Sequence, residues 1–191
     1  ACQQLKRWHQ QGHDQLRIAV NVSPVQLVDE NFVDQVIEAV EDAGIAYSDL
    51  ELEITESRIV EYLPLVEQAF QTLSAKGVRI DIDDFGTGHS ALAYLTRLHW
   101  RTVKIDRAFL AEVPHDTNAT QVVSAIIAMA GELGLQVTAE GVETEAQYRF
   151  LVEAGCHKGQ GFGYAHPQPA ADFSRLLQTP EGMGWHRDKL D

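Results

Sequence analysis

The chain has 191 residues, 45% hydrophobic and 23% charged, with 28 Asp and Glu against 15 Lys and Arg for a formal net charge of −13. This is the composition of a globular protein with room for a sizeable core, and no stretch approaches the roughly 18 unbroken apolar residues of a membrane span. The acidic balance argues against a nucleic-acid polymer as partner, which needs a basic footprint, but it permits a small phosphate ligand held through a cation.

In chain order, the residue pattern predicts a strand over Leu16–Ser23 and then a helix from Pro24 to Gly44, with Phe32, Val33, Val36, Ile37 and Val40 at i, i+3, i+4 spacing. A strand over Asp49–Thr55 precedes a helix over Leu63–Gly77, and a strand over Val78–Phe85 precedes a shorter helix over Ser90–Leu98. A strand over Arg101–Asp106 leads to a helix over Thr117–Gly134. Strands over Leu135–Val142 and Lys158–Tyr164 are followed by helices over Thr144–Gly155 and Ala170–Leu177. Gly44, Gly77, Gly134 and Gly155 each stand between a helical pattern and the next strand, where a helix C-cap belongs. No linker or composition shift divides residues 1–178, so one domain is expected, with Thr179–Asp191 as a surface tail.

Six strand–helix units in alternation predict a parallel sheet covered by helices. Strand parity selects the architecture. Leu50, Leu52 and Ile54 oppose Glu51, Glu53 and Thr55; Val78, Ile80 and Ile82 oppose Arg79, Asp81 and Asp83. Val103 and Ile105 oppose Thr102, Lys104 and Asp106, and Leu135, Val137 and Ala139 oppose Gln136, Thr138 and Glu140. A doubly wound sheet, buried on both faces, has nearly continuous apolar strands. One apolar and one polar face instead predict a TIM-like (β/α)8 barrel with a polar lumen, about six of its strands being present in this chain.

The polar face ends, at the C-terminal edge of the strands, in Asn21, Glu53, Asp83, Asp84, Lys104, Glu140 and Gln160. Active sites of such barrels sit at that edge. For any one of these carboxylates a solvated strand end is the better account, but for the whole set a site is. Carboxylates converging there repel one another unless cations hold them, and oxygen donors match Mg²⁺ or Mn²⁺ rather than zinc. Adjacent Asp83 and Asp84 suit a carboxylate bridge between two ions roughly 3.5–4 Å apart. Lys104, alternating with Val103 and Ile105, points to the same interior and could stabilise a phosphate or hold the attacking water. The DDFGTGHS turn (83–90) reads as a mobile active-site loop. A metal-dependent enzyme of enolase type, with Lys104 as base, is an alternative.

Elsewhere the sequence offers little chemistry. Cys2 and Cys156 have no ligand or pairing spacing and are expected to be two buried thiols in a reducing cytoplasm, while His9 and His13 are expected to be exposed. The first residues show no signal-peptide pattern. A cytoplasmic location without membrane contact by this chain is expected, although the parent protein could be membrane-anchored.

The segments VNVSPVQL (20–27), LELEITES (50–57), IDDFGTGHSALAYL (82–95), VKIDRAF (103–109), AEGVET (139–144) and KGQGFGYAHPQP (158–169) closely resemble the EAL-domain family, whose active members are cyclic di-GMP phosphodiesterases of bacterial signalling proteins. The resemblance runs from about Cys2 to about Leu177. It implies Asn21, Glu53, Asp83, Asp84 and Glu140 as metal ligands, with Asp83 bridging, and Lys104 and Gln160 as the residues that position water and the scissile phosphate. It implies Glu56 as the anchor of the loop containing Phe85, Gly86, Thr87 and Gly88, which in the family also communicates with a dimer interface. Asp106 and Glu143 match further polar positions of the site.

The implied reaction is hydrolysis of one 3′,5′-phosphodiester bond of cyclic di-GMP to give linear pGpG, with one or two Mg²⁺ or Mn²⁺ ions and inhibition by Ca²⁺. Implied partners are a second copy in a homodimer and flanking sensor or diguanylate-cyclase-like domains. The Glu-Ala-Leu motif, which carries a further ligand, is expected upstream of Ala1, so weak or absent turnover is expected of the fragment alone. Leu98-His99-Trp100-Arg101 replaces the family's Leu-Pro-x-Asp, and His89 stands where tyrosine is usual. The retained site positions argue against a decayed enzyme; a non-catalytic cyclic di-GMP receptor or interaction module is the alternative.

Overall fold

The first residues form a helix that is not among the expected elements: α1 (Cys2–Gln10) buries Leu5 and Trp8, three residues apart on one face. This computed structural model describes residues 1–87 and 95–179. It divides into two compact units, Ala1–Thr102 and Val103–Asp191. Residues 90–94 of the expected Ser90–Leu98 helix, His89 and nearly all of the expected tail lie outside the described residues.

In the first unit, β1 (Ile18–Asn21), β2 (Leu50–Thr55) and β3 (Arg79–Phe85) run parallel, with Asn21 opposite Glu53 and Thr55 opposite Asp83. The expected single helix from Pro24 to Gly44 is two, α2 (Pro24–Leu27) and α3 (Phe32–Ala43). A Ser23–Gln26 capping box starts α2. The break follows from Asp29, whose carboxylate accepts the Asn31 N–H at 2.9 Å and so satisfies backbone outside a helix. Helix α4 (Glu56–Lys76) begins well before Leu63, with Glu56 in its first turn, where the helix dipole favours a negative charge.

Trp100 meets Phe70 of α4 edge-on, with ring centroids 5.5 Å apart. Leu98 and Trp100 are buried while His99 and Arg101 are exposed, and the Arg101 N–H donates to the Ile80 carbonyl at 2.7 Å. The Leu-His-Trp-Arg segment therefore serves packing at the entrance to the next strand.

That strand, β4 (Thr102–Ile105), leads into the second unit through a 3-10 turn at Arg107–Phe109. Helix α5 (Thr117–Glu132), strand β5 (Gln136–Glu140), helix α6 (Glu145–Glu153), strand β6 (Lys158–Gln160) and helix α7 (Ala170–Leu176) follow. Strands β5 and β6 are parallel, with Glu140 opposite Gln160. Strand β6 stops short of the expected Tyr164 because the Val142 N–H donates to the Gln160 carbonyl at 3.0 Å and the chain turns. At Gly161 a Cβ would come within 2.3 Å of the Val142 backbone, so no side chain fits there.

The alternation read from sequence does not separate core from solvent. Ile80, Ile82, Val103 and Val137 are buried, and so are Asp81, Asp83, Lys104 and Thr138 on the opposite parity. Two smaller expectations are corrected. Both cysteines are only partly buried; Cys156, in the turn before β6, donates to the Lys158 carbonyl at 3.3 Å, and burial raises its thiol pKa. His9 and His13 are half-buried rather than exposed, because the chain after α1 folds back and brings the Leu16 carbonyl to 2.9 Å from His9 Nε2. Among the described residues, no helix is long and apolar enough to cross a membrane.

Candidate functional site

Three strand ends of the first unit carry the predicted oxygen donors. Asn21 closes β1 and lies in register with Glu53 of β2, the former exposed and the latter half-buried. Asp83 is buried near the end of β3. Asp84 adopts φ 53°, a left-handed conformation that is rare for a residue with a Cβ and is best tolerated by Asn and Asp. The bend lets the Asp84 N–H donate to Asp83 Oδ1 at 3.1 Å and brings carboxylate oxygens of the two residues within 4.8 Å of each other.

Two charges at that separation repel, and a hard divalent cation between oxygen donors relieves the repulsion. Asn21, Glu53, Asp83 and Asp84 offer only oxygen donors, which suit a hard divalent cation better than zinc. Deeper along the strands, Glu51 meets Arg79 at 3.4 Å and Arg17 at 3.9 Å, an ion network at the opposite edge from the site.

The turn after β3 is held from below. Glu56, 2% exposed, accepts the Gly86 N–H on Oε2 at 2.7 Å. Thr87 Oγ1 donates to the Asp84 carbonyl at 2.8 Å, and Phe85 is buried. Gly88 lies outside the described residues.

In the second unit, Lys104 is 4% exposed, and its Nζ is 2.6 Å from Glu140 Oε1. Gln160, opposite Glu140, is exposed. Asp106 Oδ1 accepts the Ala108 N–H at 2.9 Å, which caps the 3-10 turn. Glu143 is exposed, and its N–H donates to Gln147 Oε1 at 2.9 Å. Gln147 itself is buried and is absent from the sequence-derived set. The Thr144-x-x-Gln147 spacing of a capping box is the sequence feature that points to it.

The family model for the EAL domain matches residues 1–167. The bifunctional diguanylate cyclase/cyclic di-GMP phosphodiesterase MucR of Pseudomonas aeruginosa is 45% identical over 170 residues, covering 89% of this chain and 25% of its own length. The solved structure of PaMucR phosphodiesterase in complex with c-di-GMP has a TM-score of 0.85 at 44% identity, covering 90% of this chain and 70% of that one. For the EAL domain of Mycobacterium smegmatis DcpA the TM-score is 0.90 at 39% identity, with 96% and 82% covered.

A manganese and cyclic di-GMP complex of Klebsiella pneumoniae BlrP1 gives a TM-score of 0.75 at 27% identity, covering 81% of this chain and 41% of that one. The chain spans about a quarter of the length of the curated relatives it matches. These superpositions give it the fold class of the TIM-like barrels, with six strands among the described residues.

Proposed function

The chain belongs to the EAL-domain family, and we propose on that ground that it hydrolyses cyclic di-GMP to linear pGpG with the help of divalent cations. The observation that carries the reading is the close approach of the Asp83 and Asp84 carboxylates beside a buried glutamate that holds their loop.

Asn21, Glu53, Asp83, Asp84 and Glu140 would hold one or two Mg²⁺ or Mn²⁺ ions, Asp83 being the shared ligand if two bind; Ca²⁺, larger and looser in coordination, would inhibit. Such ions supply neutralising charge at the phosphate oxygens. Lys104, desolvated and paired with Glu140, presents a charge-assisted donor to the attacking water or a phosphate oxygen. Gln160 orients the same phosphate through its carboxamide. Glu56 keeps Gly86, and with it Asp84, in place, while Asp106 and Glu143 belong to the surrounding polar rim. Water attacks phosphorus in line, the bond to the 3′-oxygen breaks, and that oxygen leaves as the hydroxyl of linear pGpG.

Residues 1–178 are proposed to form the catalytic domain and 179–191 its tail. A homodimer, flanking sensor or diguanylate-cyclase-like domains and a cytoplasmic site of action accompany the reading.

The test supplies cyclic di-GMP and Mn²⁺ to the full-length protein and follows pGpG by chromatography. Turnover that disappears in Glu53→Ala and Asp83→Ala is expected. Tight binding of cyclic di-GMP without any pGpG would overturn the reading in favour of a receptor.

A further inference from the structure

Three loops at the C-terminal strand ends of the second unit lie against one another. The 3-10 turn at Arg107–Phe109 follows the strand of Lys104, the segment 141–144 follows Glu140, and the turn 161–164 follows Gln160. Their separation leaves no room for slack. Gly141, at φ 69°, would place a Cβ 2.5 Å from Arg107 Cβ, and Gly161 sits as closely on Val142.

Gln147 joins the first two loops through a single carboxamide. Its Oε1 accepts the N–H groups of Glu143 at 2.9 Å and Thr144 at 3.0 Å. Its Nε2 donates to the Leu110 carbonyl at 2.8 Å, across 37 residues of sequence. A capping box needs only the bonds around Thr144, including the Gln147 N–H to Thr144 Oγ1 at 3.2 Å. The bond to Leu110 is surplus to capping, and it is buried, where a missing partner would be costly.

We propose that Gln147 is a positioning residue that sets the spacing of the Lys104 and Glu140 loops and so the geometry of the ion pair between them. The proposal rests on the phosphodiesterase reading for its kinetic consequence, but not for its structural one. Lys104 and Glu140 approach to 2.6 Å, and a shift of a few tenths of an ångström in either loop changes where the ammonium can meet phosphate or water.

The test compares Gln147→Met, Gln147→Glu and Thr144→Ala in the full-length protein. Gln147→Met keeps the volume and loses every side-chain bond. Gln147→Glu keeps the accepted bonds but turns an oxygen toward the Leu110 carbonyl. Thr144→Ala weakens the cap alone. Both Gln147 variants are expected to lower kcat for cyclic di-GMP at least tenfold with KM within twofold, and to speed amide exchange at 107–110. Thr144→Ala is expected to leave kcat within twofold and 107–110 unchanged. An equal loss of kcat in Thr144→Ala, or wild-type kcat in Gln147→Met, would overturn the proposal. A wild-type protein that forms no pGpG would overturn the phosphodiesterase reading and the kinetic part together, and unchanged exchange at 107–110 in both Gln147 variants would remove the structural part on its own.

Discussion

The bond from Gly86 N–H to Glu56 is the most exacting place to test the site, because one contact 2.7 Å long joins residues 30 apart in sequence. Glu56 is 2% exposed, so solvent screens the interaction little. A hydrogen bond to a charged group contributes about 1.5–3 kcal/mol and a neutral one about 0.5–1.5 kcal/mol. Glu56→Ala removes the first quantity, which at about 1.4 kcal/mol per decade shifts the balance between held and released turn by roughly 10- to 150-fold. Glu56→Gln keeps a neutral acceptor and loses only the difference, a shift of roughly five- to tenfold.

Two assays read the same equilibrium. Native-state hydrogen exchange of the Gly86 amide should accelerate by those factors, and kcat for cyclic di-GMP should fall in the same order, wild type above Gln above Ala. If Glu56→Ala lost activity while the Gly86 amide exchanged as in wild type, Glu56 would be acting on the chemistry by another route and the latch argument would be wrong.

Three further outcomes follow from other parts of the structure. Lys104→Met removes the ammonium 2.6 Å from the partly buried Glu140 carboxylate, so turnover should fall more than 100-fold and stability by about 3 kcal/mol; the double variant with Glu140→Gln should regain stability in urea titration without regaining activity. Asp84→Asn keeps a side chain that tolerates φ 53° but removes a charge, so the melting temperature should hold while the Mn²⁺ concentration for half-maximal activity rises about tenfold; an unchanged Mn²⁺ requirement would remove Asp84 from the ligand set. Burial raises the Cys156 pKa above that of the unfolded thiol, so its stabilising contribution is complete below the unfolded value and is lost as pH climbs through the raised one; iodoacetamide should label native Cys156 more slowly than unfolded protein at pH 8, and equal rates would contradict the burial.

Much of this molecule is legible without coordinates. The alternation of Ile80, Asp81, Ile82 and Asp83, repeated in four strands, depends only on neighbours two residues apart, and it identifies which acids share a face. Gly44, at φ 63°, marks the end of α3 because the left-handed C-cap is a local requirement. The failures are of two kinds, one local and one tertiary. The continuous apolar period over Pro24–Gly44 hides the break at Asp29, since a side chain that bonds its own backbone leaves periodicity intact. Extending β6 to Tyr164 fails because Gly161 must pass against Val142, and no pattern within β6 records that approach.

By itself, then, the sequence determined the order of the six strands, the parity of four of them and the kinds of donor at the strand ends, all of which depend on residues a few positions apart. Only the tertiary structure decided that Glu56, already implied by resemblance as the anchor of its loop, takes the Gly86 N–H on Oε2, that Asp84 bends into a left-handed turn beside Asp83, and that Gln147 spans from its own cap to Leu110. Those arrangements exist because burial compels each amide and carboxylate to find a partner, and the partner is whichever group the folded chain brings near.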